Sequence, residues 1–331
     1  MKINWRALAH AMTLLLPGFL TFQDAIAETP ITVQSRSHIL DSDDPARIEF
    51  GKLMYLSGIV MGSDNPDFGG FSGLQISADG SHLLAVTDKG KWLGAGLAYD
   101  NGRLTGLMNA GISSLPGLDG RAIEGKDHSD AESLTLEQPG NLDGPAYVSF
   151  EGNHRVWYYP QGLRGRPVAM TTPEALRQAP SNKGLEALAR RADGAIVALT
   201  EEMLDDVGNH IGWLIDKDHA YNLRLRRERD FSPTAMAFLP DGDLLVLERR
   251  YTVAGGPGMQ IRRIKADALM PDALLDGEVL INLTARYGID NFEGLSVRAN
   301  ASGDTVIYII SDDNFNALQK NILLMFRLPR G

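Results

Sequence analysis

The sequence contains no cysteine, which excludes disulfides, thiolate nucleophiles, cysteine-ligated zinc and iron–sulfur clusters together. Basic charge is in deficit: 32 Lys and Arg stand against 42 Asp and Glu, a formal net charge of −10. Nonspecific nucleic-acid binding needs a basic face that displaces counterions, so no nucleic-acid partner is expected. Helical periodicity is scarce. Its clearest stretches, Pro173 to Gln178 and Lys265 to Leu275, are short. Beyond the N-terminal segment no apolar run approaches the ~20 residues that span a membrane. Familiar catalytic signatures are missing as well. G-x-S-x-G fails because Gly70-Phe71-Ser72-Gly73 continues with Leu74, and no H-E-x-x-H, P-loop or dinucleotide fingerprint occurs.

What is present starts with a leader pattern. Lys2 and Arg6 precede a largely apolar stretch from Ala7 to Phe22, followed by the small-x-small triplet Ala25-Ile26-Ala27. That is the layout of a secretory signal peptide over residues 1–27. The apolar run is interrupted by Pro17-Gly18, which argues against a membrane anchor. The expectation is one domain over 28–331, periplasmic or secreted, in a compartment where calcium is far more available than in cytosol.

The mature chain reads as β structure punctuated by Asp-Gly and similar turns, and one unit recurs five times. Each unit has a small or acidic residue, an apolar strand, a turn, and a second apolar strand ending in an acid. The pairs are Ser72-Gly73-Leu74 with Leu83–Thr87 and Asp88, Glu132-Ser133-Leu134 with Ala146–Phe150 and Glu151, and Glu186-Ala187-Leu188 with Ile196–Thr200 and Glu201. Ala235-Met236-Ala237 with Leu244–Leu247 and Glu248, and Glu293-Gly294-Leu295 with Val306–Ser311 and Asp312, complete the set. The leading positions 72, 132, 186, 235 and 293 are 60, 54, 49 and 58 residues apart, enough for four strands plus loops. Arg155–Tyr159 and Gln260–Ile264 supply third strands. The fold class expected is all-β, a single β-propeller of five countable units. Six blades stay open if Ile48 to Met61 forms a degenerate blade. More economically, that segment joins the last blade and closes the ring, which removes the free sheet edges.

Blade strands are antiparallel, so the residue opening a first strand and the residue closing the second share one mouth of the channel. That gathers Glu132, Glu186, Glu293, Asp88, Glu151, Glu201, Glu248, Asp312 and Asp313. Packed carboxylates repel unless protons or cations neutralise them. An all-oxygen donor set without cysteine suits a hard cation such as Ca2+. The candidate metal ligands are therefore Glu132, Glu186, Glu293, Asp312, Asp313, Asp88, Glu201 and Glu248. Lys89, Lys183, Arg249 and Arg250 flank them as candidates to hold an anionic ester or phosphoester. Glu132 and His128 are the candidate acid–base groups, with a plain surface histidine as the competing reading of His128.

At these residues the chain resembles the phytase-like propeller family named for "esterase-like activity of phytase". Carrying the resemblance are Phe71-Ser72-Gly73-Leu74, Asp130-Ala131-Glu132-Ser133-Leu134, Asn182-Lys183-Gly184-Leu185-Glu186-Ala187-Leu188, Leu247-Glu248-Arg249-Arg250, Asn291-Phe292-Glu293-Gly294-Leu295 and Ser311-Asp312-Asp313-Asn314-Phe315. More distantly, Thr87-Asp88-Lys89-Gly90 and Asp43-Asp44-Pro45-Ala46 are similar to segments of calcium-dependent alkaline phytases. The resemblance implies ester or phosphoester hydrolysis. Ser72 and Ala235 depart from it by lacking the leading acid. Two functions stay open: an exported calcium-dependent hydrolase, and a non-catalytic calcium-stabilised propeller that binds a ligand or protein.

Overall fold

The structure, a computed structural model, describes residues 26–217 and 219–329. The leader expected over 1–27 lies almost wholly outside the described residues. Five sheets follow one another along the chain, each built around antiparallel neighbouring strands. Blade I comprises Phe71–Ile76, His82–Thr87, Lys91–Asp100 and Arg103–Ser114. Blade II comprises Ala131–Leu136, Ala146–Phe150, Arg155–Tyr159 and the short Val168–Ala169. Blade III runs through Leu185–Arg190, Ile196–Leu204, His210–Asp216 and His219–Leu225. Blade IV consists of Ser232–Phe238, Leu244–Thr252, Gly256–Ile264 and Glu278–Thr284.

Blade V closes the ring. Asn291–Ala299, Thr305–Asp312 and Asn321–Leu328 come from the C-terminal end of the chain. The fourth strand, Leu53–Gly62, comes from before blade I and pairs antiparallel with Asn321–Leu328. The segment Ile48 to Met61 is thus the closing element and not a sixth blade. Five blades it is.

The second strands are continuously apolar because both of their faces are buried. In Leu244–Leu247, Leu245 and Leu247 pack toward blade V, whereas Leu244 and Val246 pack toward blade III. Val306, Tyr308 and Ile310 face blade I while Ile307 and Ile309 face blade IV. A strand alternates sides with a period of two, so each second strand feeds two hydrophobic clusters. One cluster fills each of the five blade junctions. Polar links cross the same junctions near the axis: the Leu188 amide donates to Ser133 Oγ at 3.1 Å, and the Ile76 amide to Ser296 Oγ at 3.0 Å.

Helix is as scarce as expected, and the two candidate stretches fare differently. Glu174–Gln178 is a 3-10 helix. In Lys265 to Leu275 only Ala266–Ala268 makes a 3-10 turn, and Leu274–Leu275 instead adds a parallel edge strand to blade III. Pro271 explains the break, since proline lacks an N–H and pushes the preceding residue away from helix. Among the described residues no helix is long and apolar enough to cross a membrane.

Candidate functional site

Every inner strand carries an irregularity at the same place. Pairing steps from Phe71–Thr87 to Gly73–Val86 in blade I, and from Ala131–Phe150 to Ser133–Ser149 in blade II. Blades III, IV and V repeat it at Leu185–Thr200, Pro233–Glu248 and Phe292–Ser311. A bulge inserts one unpaired residue and re-aims its side chain. The five bulged residues are Ser72, Glu132, Glu186, Thr234 and Glu293. The fourth leading position is therefore Thr234, not Ala235; its hydroxyl donates to the Phe292 carbonyl at 3.1 Å.

The same register fixes the second ring. Asp88, Glu151 and Glu201 donate their amides to the carbonyls of Gly70, Asp130 and Gly184, and Asp312 pairs with Asn291. In blade IV the residue at this position, opposite Ser232, is Arg249. Glu248 is one residue too early and faces the other way. It is fully buried in an ion pair with Arg262, at 2.6 Å from both Nε and Nη2, and accepts from Gln260 Nε2 at 2.9 Å. The expectation that Glu248 is a metal ligand is corrected accordingly: its oxygens are consumed inside blade IV.

Arg249 takes the vacated place among the acids. Its Nη2 lies 3.3 Å from Glu201 Oε1 and its Nε 3.2 Å from Glu293 Oε1. Burial opposes its charge, but the facing Glu293, Glu201, Glu186 and Glu132 hold the guanidinium pKa above its usual value.

One cation does not neutralise this many carboxylates. Glu132, Glu151, Glu186, Glu201, Glu293 and Asp312 are all buried. Burial, then repulsion from Asp130, Glu293 and Glu151, pushes Glu132 well above the normal carboxylate range; burial, then Glu132, Glu201, Glu151 and Glu293, does the same to Glu186. Burial and Glu293 raise Asp312 to about 9, and burial together with Asp130 and Glu293 raises Asp88 to about 7. Glu151 is raised to about 7, chiefly by burial, although the Gly184 amide donates to it. Glu293 is raised by burial while Arg249 pulls the other way.

Asp130, Glu132 and Glu151 each offer one oxygen, all within 4.8 Å of one another. Oxygens 2.3–2.6 Å from one Ca2+ lie at most about 5 Å apart, so this trio fits around a single ion. Asp88 Oδ1 is buried without a hydrogen-bond partner, an orphaned acceptor beside the same cluster. The donor set and the orphan both fit a hard divalent cation. The buried Asp/Glu cluster could hold a metal.

Other expected site residues divide. Asp313 is tied up bridging blades V and I: its oxygens accept from the Gly70 and Phe315 amides at 3.1 and 3.2 Å and from Asn321 Nδ2 at 2.8 Å. Lys89 is exposed at the rim, its Nζ 3.3 Å from the centre of the Phe315 ring and bonded to the Pro66 carbonyl. Lys183 is exposed and paired with Glu202 at 2.5 Å. Arg250 stacks on Phe231 at 5.1 Å. His128 lies on the one-turn helix Lys126–Ser129 with its ring exposed, and its carbonyl accepts from Arg155. Of the four expected anion-binding cations, the structure brings Arg249 into contact with the carboxylates.

Residues 66–315 match the Phytase-like family, described as esterase-like activity of phytase. The chain belongs to that family. No curated protein matches the phytase-like chain. Among solved structures it is similar to a gluconolactonase from Xanthomonas campestris, at 11% identity and a TM-score of 0.45 over 93% of this chain and 99% of that one. A PQQ-bound aldose sugar dehydrogenase from Streptomyces coelicolor aligns at 12% identity and TM-score 0.40, covering 90% of this chain and 99% of that one. A protein of unknown function from Dyadobacter fermentans gives 10% and 0.44, over 92% and 95%. At such values the phytase-like fold rests on its own sheet order, and its chemistry on its own residues.

Proposed function

We propose that the protein is an exported hydrolase of small anionic esters or phosphoesters that works with Ca2+ held at the acidic mouth. The observation that carries this reading is the trio Asp130, Glu132 and Glu151, whose oxygens converge within one ion's coordination sphere. Family membership supports ester chemistry, and the leader pattern at residues 1–27 supports export. When bound, such a cation supplies Lewis-acid polarisation of the ester or phosphoester oxygen. The chain's own groups do the rest. Glu186 and Glu293 add negative charge that favours the cation, and Arg249 limits their repulsion while offering free guanidinium edge to an anionic substrate. Lys89 guides the anion from the rim. Burial and the neighbouring Asp130 raise the proton affinity of Glu132, so Glu132 would hold a proton at the mouth wherever no cation neutralises it.

Turnover of 4-nitrophenyl acetate and 4-nitrophenyl phosphate tests this, in chelator-treated protein with and without added Ca2+. Calcium-dependent turnover of either, lost in Glu132→Gln, is expected. Absence of turnover on both, together with intact calcium binding, would favour the non-catalytic propeller.

A further inference from the structure

The opposite end of the channel, where the inner strands finish, holds a cavity of about 670 Å³. All five blades contribute to it. Ala78 follows the inner strand of blade I, Glu137 that of blade II, and Arg191 that of blade III; Phe238 and Arg298 close those of blades IV and V. It is thus the far mouth of the propeller axis, and it differs from the near one in both charge and polarity. Its wall is built from Phe238, Pro240 and similar apolar residues interrupted by three arginines, Arg190, Arg191 and Arg298.

Only part of that positive charge is neutralised. Arg191 is held by Asp193, 2.7 Å from its Nη2. Arg190 donates to the Glu137 carbonyl at 2.9 Å, but the Glu137 carboxylate is 3.9 Å away and already accepts from Tyr158 at 2.7 Å. Arg190 Nε is buried with no hydrogen-bond partner. Arg298 spends Nε and Nη2 on the Tyr308 hydroxyl, at 3.2 and 3.1 Å, and Nη1 on the Ala299 carbonyl at 3.4 Å. Among the described residues no carboxylate lies within ion-pair distance of it. The charged residues lining the cavity are Arg190, Arg191, Arg298 and Glu137, a positive balance in a chain whose total is −10. A half-buried guanidinium without a counter-ion and a second arginine with an orphaned N–H, lining one largely apolar pocket, are the recognition chemistry of an anion with an apolar body.

We propose that this far mouth is a second binding site, taking a small organic anion, its carboxylate or phosphate-like head at Arg298 and Arg190 and its apolar part against Phe238 and Pro240. The site does not depend on the acidic mouth or on the activity assigned there.

Calorimetric titration of the full chain with 4-phenylbutyrate, phenylphosphonate and the uncharged 4-phenylbutanol tests it, in chelator so that the acidic mouth holds no cation. Saturable one-to-one binding of at least one anion, at least tenfold tighter than the alcohol, is expected; comparing the two anions identifies the preferred head group. Arg298→Met should weaken that binding at least tenfold, about 1.4 kcal/mol, and Arg298→Lys should retain most of it. Glu293→Gln, at the other mouth, should leave it unchanged. Equal binding of alcohol and anions, anion binding indifferent to Arg298→Met, or loss in Glu293→Gln would each overturn the proposal. So would the absence of saturable anion binding below about 10 mM. Should Arg298→Met fail to fold, Arg190→Met takes its place, and the wild-type comparison of charged with uncharged ligand still decides.

Discussion

Glu248 and Arg249 are adjacent in one strand and serve opposite surroundings. Glu248 is sealed between sheets against Arg262 at 2.6 Å, while Arg249 reaches the channel and lies 3.2 Å from Glu293. The two-residue period of a strand makes this unavoidable: a side chain one place along must point to the other face. Blade IV therefore contributes a cation to a ring that the other blades build from acids.

The buried pair predicts a purely structural phenotype. Glu248 and Arg262 are both fully buried, and removing one partner strands the other's charge, a loss of about 3–5 kcal/mol. Glu248→Gln or Arg262→Met should lower the urea midpoint accordingly, while calcium affinity of the folded fraction stays at the wild-type value. A change within about ±0.5 kcal/mol would mean the pair is not sealed as described.

Arg249 predicts the reverse pattern. Arg249→Met leaves Glu201 and Glu293 without their counter-charge, so the metal-free protein should melt lower and calcium should raise its melting temperature by more than in wild type. Turnover of an anionic ester should fall at least tenfold in kcat/KM, about 1.4 kcal/mol, and Arg249→Lys should restore part of it. Melting curves and kinetics equal to wild type would remove Arg249 from the site.

Much of this was legible in the chain. Five repeats, their apolar second strands and the closing role of the segment before blade I follow from periodicity and from the need to hide sheet edges. Register was not legible. Tracking the acids led to Ala235 and Glu248, 13 residues apart, whereas Thr234 and Arg249 stand 15 apart, as Glu186 and Glu201 do in blade III. That shared spacing was the available signal. The bulge itself leaves no mark in composition, so the sequence shows Asp130, two residues before Glu132, only as part of a motif and not as a member of the tightest trio. Asp313 looked like Asp312 because sequence does not show which oxygens backbone amides will occupy.

The raised carboxylates set a pH dependence. Asp88 and Glu151 are pushed to about 7 and Asp312 to about 9, above the ~4 they have when unfolded. Between those values the folded chain holds more protons than the unfolded one, so stability falls as pH rises. Metal-free protein should therefore be more stable near pH 5 than near pH 9. Saturating Ca2+ should flatten the decline, and apparent calcium affinity should increase across the same window as protons leave. A metal-free stability that rises from pH 5 to 9 would contradict the buried-acid description.

Chelation should act through mass action. At free Ca2+ about 100-fold above its dissociation constant, binding to the folded state alone adds about 2.7 kcal/mol. Differential scanning calorimetry should show the melting temperature dropping with chelator and returning with calcium. Curves insensitive to both would show that the acids are neutralised by protons and Arg249 alone.

The most direct measurement is a calorimetric Ca2+ titration of chelator-treated wild type beside Glu132→Gln and Glu137→Gln. Glu132 is buried in the trio with Asp130 and Glu151, whereas Glu137 lines the far mouth; both substitutions keep size and remove one charge. The expected result is stoichiometric binding by wild type and Glu137→Gln, with at least tenfold weaker binding by Glu132→Gln. Three superimposable titrations, or no binding by wild type, would contradict a calcium centre at the acidic mouth.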